Sequence, residues 1–240
     1  MWSICKKELQ QFFSNLTGYI TIILFLLVNG IFLFILNDSN IFDYGYASLD
    51  KFFELAPWIL LFLVPAITMR TLADEFKAGT FEILQTIPLT KWKIVLGKYI
   101  SILIVLLFVI VPTIIYIITI KSLSAAGGID GGGILGSYIG LFFLAAVFAA
   151  IGLCCSGFTG NAAVAFLIST FCCLILYFGF NALSKLPFFA NGYDYYIEML
   201  GIDFHYRSMS RGVLDSRDLV YFISVIFIFL LITVKNLHKK

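Results

Sequence analysis

An all-α, polytopic membrane fold is what this chain predicts, on three observations. The 240 residues are 61% hydrophobic and only 12% charged, with a mean hydropathy of +1.00. A soluble domain carries roughly 25% charged residues, so no water-soluble surface can be built around this composition. Six long apolar stretches have no Asp, Glu, Lys or Arg in their interiors. Between the second and third lies a charged, helix-prone segment that opens Asp74-Glu75-Phe76-Lys77-Ala78-Gly79. The net charge of +2 gives no basis for a nucleic-acid partner.

The chain opens with a short amphipathic stretch, residues 2–14. Trp2, Cys5, Leu9, Phe12 and Phe13 share one helical face, and Lys6, Lys7 and Gln10 lie elsewhere. Two readings fit this pattern. One is a helix lying in the membrane interface, its aromatic side in lipid; the other is a basic lead-in to the first span. A span needs about 20 mostly apolar residues. The six candidates are 17–36, 56–72, 96–120, 136–155, 162–183 and 218–234, and they leave no room for a soluble domain. Residues 1–240 therefore read as one transmembrane domain.

Lys and Arg concentrate on cytoplasmic loops, which sets orientation. With the amino terminus inside, ten of the sixteen fall there: Lys6, Lys7, Arg70, Lys77, Lys91, Lys93, Lys98, Lys235, Lys239 and Lys240. Both termini are then cytoplasmic. The outer loops are an acidic 37–55, a Gly-rich 121–135 and a longer, partly structured 184–217. In the last, Asp203 is placed to cap a helix closed by Gly212, and Asp215 or Ser216 to cap the final span. Gly136 and Gly140 in the fourth span have the spacing that lets helix backbones approach, within the chain or in a dimer seam.

Chemistry finds little foothold. Gly131-Gly132-Gly133-Ile134-Leu135-Gly136 matches a dinucleotide fingerprint in letters only, because it lacks the soluble βαβ unit that gives the motif meaning; it reads as a flexible turn. There is no P-loop, HExxH or GxSxG, and His205 and His238 fall on opposite sides of the membrane. Cys154, Cys155, Cys172 and Cys173 lie within spans and Cys5 on the cytoplasmic side, all read as apolar packing residues. Neither metal nor cofactor is expected. Ion-coupled transport ordinarily places ionisable groups inside spans. Here Asn29, Asn161 and Asn181 are the polar exceptions, expected to bond between helices.

The segment 74–93 is different. Thr80 is placed to cap a short helix carrying Phe81, Glu82, Ile83, Leu84 and Gln85; Gly79 frees its entry and Pro88 stops it. Such a helix suits docking into a groove on a soluble partner. A loop helix resting on the interface fits the same pattern.

Glu75 through Thr90, followed by Gly97-Lys98, resembles the E-x-x-x-G-T-x-E-x-L-x-x-x-P pattern of ABC type-2 permeases. Phe204 through Asp215 looks like the H-F-x-x-x-x-x-G-v-x-D stretch before their last span, although His205 here precedes Tyr206 rather than Phe. The resemblance implies six spans and a cytoplasmic coupling helix that docks on a separate ATPase. It also implies residues of contact: Glu75, Gly79, Thr80, Phe81, Glu82, Ile83, Leu84 and Pro88. In that arrangement Glu82 is the charged contact, Phe81, Ile83 and Leu84 are apolar anchors, and Gly79 and Pro88 set the helix ends. More narrowly the chain is similar to permease subunits of gliding-motility transporters, which implies a bacterial inner membrane and a second, non-identical permease. The alternatives are an ATP-independent secondary transporter and a non-transporting anchor or assembly subunit.

Overall fold

The computed structural model describes residues 1–36, 48–82, 89–124, 130–186 and 194–239, and its described residues hold helices and no strand. Among the described residues, five helical stretches are long and apolar enough to cross a membrane, or six if the first bent pair counts as one. That pair is α1 (Trp2–Ser14) and α2 (Leu16–Phe34), bent by 69°. Then come α3 (Asp50–Thr68), the short α4 (Ala73–Ala78) and α5 (Lys91–Ile110). A 3₁₀ turn at Val111–Thr113 carries Pro112 and joins α5 to α6 (Ile114–Leu123). Pro112 lacks the N–H a regular helix needs, which accounts for a local change of winding in an otherwise unbroken span.

α7 (Gly131–Phe158) is the hub. It packs against α3, α5, α8 (Ala162–Leu174), α11 (Ile202–Met209) and α12 (Ser216–Lys239). Small residues make this possible, since Ala145, Ala146, Ala149 and Ala150 are all buried. A Cβ on Gly140 would come within 2.6 Å of the Met209 side chain, and one on Gly136 within 2.6 Å of the Gly212 carbonyl. The Gly136/Gly140 pair thus serves packing within the chain, against the turn between α11 and α12. The Gly-rich run expected to be a flexible turn is instead the first turn of α7. Asp130 caps it, accepting the Gly133 N–H at 3.0 Å. A capping carboxylate offsets the poor helix propensity of three glycines.

α8 continues through a π-helical turn, Ile175–Gly179, into α9 (Phe180–Ser184). This turn puts Tyr177 in the core beside Phe148. Two shorter helices, α10 (Asp194–Glu198) and α11, fall within the outer segment expected at 184–217. Asp203 lies inside the first turn of α11 rather than at its cap, which is Gly201. Gly212 does close the turn with a positive φ of 83°, and Asp215 caps α12 by accepting the Arg217 N–H at 3.0 Å.

The lateral surface is apolar. Ile23, Leu24 and Leu27 on α2, Leu167 and Phe171 on α8, and Val220, Ile223 and Phe227 on α12 are all exposed. An exposed belt of this extent suits lipid rather than water. Asn29 and Asn161 do not bridge helices as expected. Asn29 donates to the Phe25 carbonyl of its own helix, and Asn161 caps α8 through Ala163 N–H.

Candidate functional site

Both termini lie at one end of the bundle, where Lys91 Nζ donates to the Leu237 carbonyl at 2.5 Å and Asn236 donates to the Gly157 carbonyl at 2.7 Å. At this end sits the densest ionic site of the molecule's described part. Lys98, on α5, is wholly buried. Its Nζ donates to Glu8 Oε1 at 2.8 Å and to the Thr71 carbonyl at 2.7 Å, and lies 2.9 Å from Glu75 Oε1. Lys7 approaches the same Glu75 oxygen at 3.6 Å from the exposed side. Two carboxylates, 13% and 12% exposed, therefore enclose one ammonium that has no contact with water. Burying a lone ammonium costs several kcal/mol, so Lys98 holds α1, the turn after α3 and α4 to α5 at once.

The local backbone explains how these groups meet. Gly97 lets α1 close on α5, because a Cβ there would sit 3.0 Å from the Met1 carbonyl and 3.2 Å from Ile4. The apolar face of α1 is consequently turned largely to protein rather than to lipid. Cys5 is buried, and Leu9, Phe12 and Phe13 pack against the core, leaving Trp2 exposed. Burial, and then the Glu8 carboxylate, push the Cys5 thiol above its ordinary range, so it is no reactive thiolate.

The expected docking residues fall into three groups. Glu75 lies in α4 and is committed to Lys98, while its Oε2 is buried with no partner. Gly79 ends α4 in the left-handed region, φ 68°, and Thr80 donates back to the Glu75 carbonyl at 3.4 Å. Gly79 thus ends a helix that the pattern did not single out, and a further helical segment begins at Thr80 and carries Phe81 and Glu82. Phe81 was expected to be an exposed anchor. It is instead 4% exposed, its ring 4.9 Å from Phe76, whereas Glu82 beside it is exposed. The physical reason is that a phenyl ring one residue past a tight turn can fold back onto the helix it has just left. Ile83, Leu84 and Pro88 lie outside the described residues.

Lys98 is the residue that sequence reasoning missed, having been counted among the surface lysines. The available signal was its position two residues inside an apolar span, where a charge demands a partner.

A second polar site occupies the opposite end. His205, 3% exposed, has Nδ1 2.7 Å from Asp218 Oδ1 and Nε2 2.9 Å from the Met199 carbonyl, and stacks on Tyr221 at 3.9 Å. Both ring nitrogens face acceptors. Arg207 bonds Asp203 and reaches Glu198 at 3.4 Å; Asn181 donates to Asp203 at 3.2 Å. Of the three asparagines, Asn181 alone links elements as expected. Tyr206 donates to the Phe53 carbonyl at 2.7 Å, fixing α11 to α3. Among the described residues no group of three His, Cys, Asp or Glu is placed to hold a metal.

A helical bundle with an apolar belt and an ionic site joining its first helix to an inter-span segment defines a multi-pass membrane subunit. The family model of ABC-2 family transporter proteins matches residues 2–192, and the chain belongs to that family. It is accordingly a membrane permease subunit of an ABC transporter, a class in which an ATPase subunit is the partner. No curated protein matches the chain.

Proposed function

We propose that this permease receives the movement of a separate ATPase through residues 74–93 and passes it to its membrane helices through Lys98. The observation that carries this reading is the three-way contact at Lys98, which joins α4 of that segment, α1 and the α5 span. A push on α4 is then a push on a buried ion pair, and such pairs resist separation because neither partner can be left unpaired. In this account Glu82 is the exposed charged contact. Phe81, held against Phe76, backs the docking surface from beneath, and Gly79 and Thr80 fix where the segment leaves α4. Ile83, Leu84 and Pro88 remain proposed contacts on the sequence pattern alone.

The proposal extends to setting. Lys and Arg distribution favours a cytoplasmic setting for the end with both termini, with α1 at the interface. The overall similarity of the chain to gliding-motility permeases supports a bacterial inner membrane and a second, non-identical permease. Residues 184–217, which include α10 and α11, then form an outer element. Cysteine labelling tests the orientation. A reagent confined to the outside modifies cysteines placed at Ser48 and Ser208 and spares Thr90 and Asn236; labelling of Thr90 from outside overturns the coupling assignment.

A further inference from the structure

A cleft of about 410 Å³ opens beside the Lys98 site, walled by α1, α2, α3 with the turn after it, α4 and α5. Its volume falls in the range of about 300–1,000 Å³ typical of small-ligand sites. Its polarity changes along its length, in the same sense on the α3 and α5 walls. On α5, one turn beyond Lys98, the order runs from Ser101 to Ile102 and Val105; on the α3 and α4 side it runs from Asp74 and Arg70 to Ile67 and Ala66. The α1–α2 wall is mixed, with Glu8, Gln11 and Asn15 beside Phe12 and Ile20. Ser101 to Val105 spans about 6 Å of helix. The back wall (Ser101, Ile102, Val105) is buried, and the rim (Ile20, Ala66, Arg70, Asp74) is exposed. The cleft thus opens sideways, its apolar half level with the apolar belt and its charged half at the end carrying the termini.

We propose that this cleft binds a single membrane lipid whose zwitterionic headgroup carries a primary ammonium. The head-to-tail gradient matches an amphiphile standing in a bilayer, which neither a soluble ion nor a wholly apolar molecule would match. Charge selects the headgroup. Glu8 and Glu75 line the polar half already paired with Lys98 and Lys7, which leaves Asp74 and Arg70 at the rim, one charge of each sign. An anionic headgroup would pair Arg70 and leave Asp74 opposed. A zwitterion sets its phosphate on Arg70 and its ammonium beside Asp74. Hydrogen bonding selects further. Glu75 lines the cleft with one oxygen that no donor reaches, and a primary ammonium supplies N–H donors that a quaternary one lacks. The inference rests on the membrane setting of the family and not on ATPase docking, so either can fail alone.

The test uses the intact transporter in nanodiscs of equal parts phosphatidylethanolamine, phosphatidylcholine and phosphatidylglycerol. Lipid retained on the complex is counted by native mass spectrometry. The ethanolamine lipid is expected to be retained at least tenfold over the other two. Ala66→Trp, which fills the rim, should abolish that preference, and Arg70→Gln should reduce it, with ATPase copurification unchanged in both. A photoreactive residue at position 66 should yield a lipid adduct. Equal retention of the three lipids, retention indifferent to both substitutions, an adduct only to protein, or equally tight binding of soluble phosphoethanolamine would each overturn the proposal. The last would mark a headgroup pocket with no use for the membrane.

Discussion

The two ends of the bundle solve the same problem, how to keep charge inside a membrane protein, in different ways. At the end with the termini, one ammonium on α5 unites Glu8 of α1 with Thr71 and Glu75 of the segment after α3, three parts of the chain far apart in sequence. At the other end, Glu198, Asp203, His205, Arg207 and Asp218 fall within about twenty residues and bind a short helix to its neighbours. A local network holds a local element in place. A network built from remote segments makes them move together. This difference is why the Lys98 site is read as transmission and the His205 site as architecture.

The comparison breaks first at Lys98. Lys98→Met leaves Glu8 and Glu75 without their shared buried cation, only the exposed Lys7 remaining near Glu75, and removing one member of a buried ion pair costs about 3–5 kcal/mol. A large fall in thermal midpoint of the purified protein is expected. Adding Glu8→Gln and Glu75→Gln to that variant removes the orphaned charges, and most of the lost stability should return, since neutral replacements of buried pairs are often tolerated. ATP-dependent function should not return with it. Recovery of both would show the cluster to be architectural like its counterpart.

At the far end the expected losses are smaller. Asp218→Ala takes the acceptor from a buried imidazole nitrogen, a cost of about 1–3 kcal/mol by thermal unfolding. Tyr206→Phe loses one hydrogen bond to the Phe53 carbonyl, about 0.5–1.5 kcal/mol. Neither should change ATPase copurification. Lys51→Ala breaks an exposed pair with Glu54 and should shift stability by less than about 0.5 kcal/mol.

Sequence periodicity and hydropathy made the spans legible, because a bilayer imposes one length and one polarity on any segment crossing it. The span ends read well for the same reason, and Asp215 and Gly212 act as their residue types suggest. What escaped was whatever depends on a tertiary partner. The π-helical turn at Ile175–Gly179 has no marker in its residues. Phe81 looked like an exposed anchor because nothing in the pattern shows that Phe76 lies beneath it. Lys98 looked like one more basic residue at a membrane edge, since the carboxylates that bury it come from positions 8 and 75. The segment 74–93 was legible as a motif and only partly as a shape. Gly79 closes α4, which the pattern did not show, while a helical segment does begin at Thr80.

ATPase copurification with a Glu82→Lys permease tests the coupling account most directly. Glu82 is exposed and forms no ion pair among the described residues, so its replacement should leave insertion and thermal stability unchanged. A reversed charge at a docking contact should cost upwards of about 2 kcal/mol, roughly thirtyfold in affinity. The account predicts that Glu82→Lys loses the ATPase while Asp130→Lys, at the opposite end, retains it. Full ATPase binding by Glu82→Lys would contradict the assignment of residues 74–93 as the docking segment.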